Sequence, residues 1–145
     1  MDTQDIDPIR AILTTTRRIA VVGASNKPER AGNYVLAFLA AQGFSVTGVN
    51  PGLAGQVLHG APVVATLAEA APLDMVDVFR ASDQVGPVMD EAIRLGARTV
   101  WMQLGVVDDA AAAAGRAAGL SVVMDRCPMM EWRRLGLALR GALEP

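Results

Sequence analysis

The sequence predicts a single α/β domain: a mainly parallel, five-stranded sheet with helices on both faces. Three observations predict it. Five short apolar, largely β-branched runs, at 17–22, 44–49, 74–79, 99–104 and 120–124, are each bounded by charged or turn-forming residues, as strands buried on both faces are. Stretches with helical spacing lie between them, long enough to carry the chain back for the next parallel strand. Glycine and polar residues gather just beyond the carboxyl ends of the runs.

Each element follows from local chemistry. Asp7 is a natural N-cap and Pro8 suits the first helical position, so 8–15 reads as a leading helix. We take 1–16 as this leader and 17–145 as the domain proper, a length that forms one core. The first run ends at Gly23, and a polar loop leads to a helix from about Gly32, with Tyr34, Val35, Phe38, Leu39 and Gln42 at helical spacing up to Gly43. Asn50-Pro51-Gly52 stops the second run. A glycine-rich loop holding His59 follows at 53–62, then a short extended piece at Val63-Val64 and a short helix capped by Thr66. After the third run and Arg80, Ser82 is expected to cap a helix running to Leu95. Asp108 or Asp109 starts an alanine-rich helix to about Ala118, and a last helix runs from Pro128 to about Leu143.

Composition excludes several function classes. With 52% hydrophobic and 19% charged residues the chain is no disordered segment, and no run approaches the roughly 18 apolar residues of a membrane helix. The acidic, polar start, Met1-Asp2-Thr3-Gln4-Asp5, is unlike a secretory signal, so a cytoplasmic protein is expected. One cysteine, Cys127, and one histidine, His59, leave no internal disulfide and no zinc ligand set. A net charge of -2 without a basic stripe speaks against nucleic acid. A small ligand fits better.

The place for it is the turn after the first strand. Amides of a glycine-opened loop and of the following helix start lack internal partners and face an anion readily. Lys27, the only lysine in the chain, adds a full charge there. In doubly wound, Rossmann-like sheets the ligand lies outside the carboxyl ends of the strands, where strand order reverses between the first strand and its far-side neighbour. A nicotinamide dinucleotide site would show Gly-x-Gly-x-x-Gly and an acid ending the second strand. Here Ser25 and Pro28 stand at the second and third glycine positions, and Val49-Asn50-Pro51 carries no acid. A phosphorylated ribose is therefore permitted. No P-loop is present, and Phe79-Arg80 stands where a receiver domain needs an aspartate.

Gly23-Ala24-Ser25-Asn26-Lys27-Pro28, Val49-Asn50-Pro51, Asp77-Val78-Phe79-Arg80, Trp101-Met102-Gln103-Leu104-Gly105 and Asp125-Arg126-Cys127-Pro128 together resemble the small stand-alone CoA-binding domain proteins, over about 17–135. The N-terminal domain of the succinyl-CoA synthetase alpha subunit is a more distant resemblance. The resemblance implies that Gly23, Ala24, Ser25, Asn26 and Lys27 hold a pyrophosphate, and that Val49, Asn50 and Pro51 wall the adenosine. It implies that Phe79, Arg80 and Ser82 offer an apolar face and a forked phosphate donor, and that Met102, Gln103 and Leu104 lie along the pantetheine arm. The synthetase has a lysine soon after the proline ending its second strand, whereas this chain reads Pro51-Gly52-Leu53-Ala54-Gly55; Lys27 or Arg30 is nominated for the 3′-phosphate. His59 does not match the synthetase's phosphorylated histidine, so synthetase activity is not implied.

Other conspicuous residues read more plainly. Cys127 packs the last strand on the last helix, since no base stands ready for a dyad. His59 is a solvent-facing loop residue; Asp125, Arg126, Glu131 and Arg133 form a solvated helix start or subunit contact. Trp101, Met102, Met129, Met130 and Trp132 are core or dimer interface. The expectation is a CoA- or acyl-CoA-binding protein without catalytic residues, a homodimer, with no metal. The alternatives are an NADP-dependent oxidoreductase and an interaction module whose nucleotide pocket is vestigial.

Overall fold

The computed structural model describes residues 7–137. Seven strands form one sheet: β1 (Arg18–Val22), β2 (Ser45–Val49), β3 (Val57–Leu58), β4 (Ala61–Val64), β5 (Met75–Val78), β6 (Thr99–Met102) and β7 (Ser121–Val123). They lie in the order β3-β4-β2-β1-β5-β6-β7, all parallel except β3, which runs antiparallel to β4. Strand order reverses between β1 and β5, as the doubly wound reading requires. Of the helices, α1 (Pro8–Thr15), α2 (Ala31–Ala41) and α5 (Pro128–Arg134) cover one face, burying Leu13, Leu36, Leu39 and Trp132 against Ile19, Val21 and Trp101. On the other face α3 (Val85–Arg94) and α4 (Asp109–Ala117) bury Val85, Met89 and Ala112 against Val76, Val78 and Met102. Among the described residues no helix is long and apolar enough to cross a membrane.

The expected five strands are present as β1, β2, β5, β6 and β7, but the count of five is wrong. The short extended piece expected at Val63-Val64 is the end of β4, paired with Gly48 and Val49 of β2, and within the glycine-rich loop the chain folds back at His59-Gly60 to add β3. A two-residue strand has no periodicity of its own; pairing creates it, β4 along β2 and β3 back along β4. Helix starts fared better: Asp7 accepts from the Ile9 amide at 2.9 Å and Asp108 from that of Ala111 at 2.9 Å. Ser82 is not the cap it was expected to be. A 3-10 turn, Ser82–Gln84, precedes α3, and Gln84 occupies the cap position without a side-chain bond. The last helix is also shorter than expected, closing at Arg134 before Gly136 at φ 65°; Leu143 lies outside the described residues.

Candidate functional site

The carboxyl ends of β1, β2 and β5 meet at one cleft. Gly23 turns the chain out of β1 at φ 92°, and a Cβ there would stand 3.1 Å from the Phe79 carbonyl oxygen. Eight residues later α2 begins, and Gly32 in its first turn lets the helix press on the loop: a Cβ at Gly32 would fall 2.4 Å from the Gly23 oxygen. Gly32 therefore does the close-packing work of a third fingerprint glycine, displaced by a longer loop. Counting three residues on from Ser25 had put that position at Pro28.

Two asparagines hold the loop from behind. Asn50, at the end of β2, donates Nδ2 to the Ala24 carbonyl at 2.8 Å, while its Oδ1 accepts from the Gly52 amide at 2.9 Å. Asn33, buried in α2, donates Nδ2 to the Ser25 carbonyl at 2.8 Å. Its Oδ1 then faces His59 Nε2 at 2.9 Å, so that nitrogen must carry the proton. His59 is exposed, as expected, but it is not idle: from the turn between β3 and β4 it completes a chain of contacts to the loop. With two successive carbonyls drawn inward, the amides of Ser25, Asn26, Ala31 and Gly32 have no acceptor among the described residues. The Lys27 amide is turned back onto Ser25 Oγ at 3.1 Å, and the Lys27 and Arg30 side chains are exposed beside it.

Gly23, Ala24, Ser25, Asn26, Lys27, Arg30, Asn50, Phe79 and Arg80 line a cavity of about 360 Å³. A second cavity of about 290 Å³, walled by Val49, Pro51, Leu67, Pro87 and Val88, adjoins it, and Arg80 borders both. The Arg80 guanidinium is half-buried and makes no hydrogen bond or ion pair among the described residues. Glu91, the acid that shares the second cavity with it, bonds Arg94 instead.

On the β6 side the loops are tied to one another. Ser82 Oγ accepts from the Val107 amide at 2.9 Å and donates to the Gly105 carbonyl at 3.4 Å; Asp125, at φ 58°, accepts from the Gly105 amide at 2.8 Å. Leu104 is half exposed at this rim, whereas Met102 points into the α3/α4 core and is fully buried. Trp101 is buried and donates Nε1 to the Arg126 carbonyl at 2.8 Å, and Cys127 and Trp132 are core residues. Met130 is half exposed. Glu131 pairs with Arg134, which reaches Asp7 of α1 at 2.9 Å, and this pairing holds the Asp7 carboxyl below its ordinary range. Arg133 stacks over Phe38 at 5.2 Å. Asp77, within β5, is wholly buried, and loss of water raises its carboxyl well above the usual carboxylate range. Gly32, Asn33, His59 and Asp77 had not been singled out as site residues. Among the described residues no group of three or more His, Cys, Asp or Glu side chains is placed to hold a metal ion.

The sequence model of the CoA binding domain family matches residues 17–133. The chain belongs to the CoA-binding domain family. A curated member-like relative, YneT of Bacillus subtilis, is 35% identical over 120 residues, which cover 82% of this chain and 87% of YneT. A solved Thermus thermophilus protein is 38% identical, with a TM-score of 0.83 over 93% of this chain and 99% of that one. A protein from Pyrococcus horikoshii is 33% identical, with a TM-score of 0.84 over 94% and 97%. The Rex-family repressor RSP, solved in complex with beta-NADH, is 17% identical with a TM-score of 0.56, a likeness of fold alone.

Proposed function

We propose that the protein binds CoA or an acyl-CoA in the cleft at the ends of β1, β2 and β5. The carrying observation is Arg80, an unpaired guanidinium on the border between a polar cavity and an apolar one. A phosphorylated nucleotide needs that arrangement, with phosphates on one side and a base on the other. In this reading the amides of Ser25, Asn26, Ala31 and Gly32 receive the pyrophosphate, Lys27 and Arg30 meet the 3′-phosphate, and Val49 and Pro51 wall the adenine. Phe79 and Arg80 close the phosphate end, and Gln103 and Leu104 border the way out for the pantetheine arm. Ser82 serves by fixing the Gly105 to Val107 turn. No side chain in the cleft pairs a nucleophile with a base, so the reading is of binding without catalysis.

A thermal-shift series tests it, because a ligand that prefers the folded state raises apparent stability by mass action. CoA and acetyl-CoA are expected to raise the midpoint, dephospho-CoA less, and NAD not at all. No shift and no calorimetric binding with millimolar CoA would overturn the proposal. A shift with NADP alone would replace it with a nicotinamide ligand.

A further inference from the structure

Beneath the ligand edge, on the sheet face covered by α1, α2 and α5, two polar side chains are sealed in without partners. Both carboxylate oxygens of Asp77 and the Oε1 of Gln103 are buried and accept no hydrogen bond. Asp77 is the register partner of Trp101 across β5 and β6, so Gln103, two residues further on, projects from the same face. With parallel strands about 4.8 Å apart and a rise of about 3.3 Å per residue, the two Cα atoms stand about 8 Å apart, within reach of a glutamine side chain. Three buried acceptor oxygens on one face thus have no donor among the described residues, an arrangement native proteins avoid.

One proton removes the conflict. A carboxylic acid is a donor as well as an acceptor, and burial, with no cation against it, favours that form of Asp77. The amide nitrogen of Gln103 has no acceptor among the described residues and is not sealed in as Oε1 is.

We propose that Asp77 is a positioning residue that, as the neutral acid, donates its proton to Gln103 Oε1 and so turns the Gln103 amide N–H groups toward the ligand edge. Those N–H groups then suit a carbonyl on the ligand, such as an amide carbonyl of a pantetheine arm. This last step rests on the CoA reading above. The hydrogen bond itself does not. A buried acid that earns its place only by orienting a neighbour predicts that stability and affinity part company when it is removed, because an apolar replacement of similar shape relieves the buried polar group.

The first measurement is the infrared spectrum of the protein carrying isotope-labelled aspartate, at neutral pH and without ligand. A protonated-carboxyl band that vanishes in Asp77→Asn and moves in Gln103→Leu is expected; its absence from the wild type overturns the proposal whatever the ligand is. The second is the affinity for CoA. Asp77→Asn, whose amide can still donate to Gln103, is expected to bind within about twofold of wild type. Asp77→Leu should unfold no earlier than wild type yet bind roughly tenfold more weakly, the scale of one hydrogen bond. Asp77→Leu with Gln103→Leu should be no weaker than either alone. Full affinity in a folded Asp77→Leu would overturn the positioning role. If the wild type binds no CoA, the ligand reading fails, and the infrared result alone decides the Asp77–Gln103 bond.

Discussion

Two openings in this molecule differ in what their polar groups already do. One is a groove of about 730 Å³ along edge strand β7, lined by Ile12 and Thr15 of α1 and by Asp74, Arg98 and Arg116. The other is the cleft at the strand ends, about half that size. In the groove, Asp74 Oδ2 accepts from the amides of Arg17 and Arg18 at 3.1 and 2.9 Å, and Arg116 donates to the Val122 carbonyl at 3.3 Å. In the cleft, Arg80, two loop amides and two amides of the first turn of α2 have no partner among the described residues. Arg98 and Arg126 of the groove also make no side-chain bond among the described residues, but both are exposed to water, whereas Arg80 is half-buried. Volume favours the groove, while unused capacity held partly out of water favours the cleft. Capacity is the better guide, because a folded chain leaves donors unmatched at a preformed position only where something else completes them.

That contrast can be broken or sharpened by substitution. Ser25→Asp should act most strongly: a carboxylate about 4 Å from a phosphate charge, at an effective dielectric of about 20, opposes binding by about 4 kcal/mol. Calorimetric titration with CoA that finds wild-type affinity in this variant would move the ligand elsewhere. Gly32→Ala forces a methyl group into the Gly23 carbonyl and should lower stability by about 3 kcal/mol in urea unfolding; an unchanged midpoint would mean that α2 is not held against the loop. Arg80→Ala is expected to weaken CoA by about 1.5 to 3 kcal/mol, the scale of a bond to a charged group, with little change in melting temperature. His59→Ala, which removes only the outermost contact to Asn33, should weaken binding by about 1 kcal/mol and speed hydrogen exchange at the Lys27 amide, which donates to Ser25 Oγ. Arg116→Ala, in the groove, should leave CoA affinity within about 0.5 kcal/mol of wild type. A larger loss there would make the groove part of the site.

What could be read from the sequence was what local chemistry decides. Asp7, Asp108 and the five long runs needed only their neighbours, and the β1 turn with Arg80 followed from where parallel strands end. What escaped depends on residues far apart in the chain. The β3–β4 pair exists because β2 offers it an edge. Ser82 bonds 23 and 25 residues downstream instead of capping its own turn. Asn33 and His59 are 26 residues apart and meet only because that hairpin folds over α2. Gly32 was legible in principle, but a fixed spacing was counted from Gly23 when the loop here is longer. Asp77 reads as an ordinary strand position until its carboxyl is seen to be buried without a donor among the described residues.

The two asparagines behind the loop bear on time as well as affinity. A loop that closes only around its ligand must order itself at each encounter, which slows association and adds an entropy cost. Here Asn50 and Asn33 anchor consecutive carbonyls in the free protein. In the proposed complex an arriving anion meets amides that bond nothing else among the described residues, so capture is governed by diffusion and by the pull of Lys27, Arg30 and Arg80. Its speed should fall as salt screens those charges, and residence time, more than arrival, should distinguish one acyl form of the ligand from another.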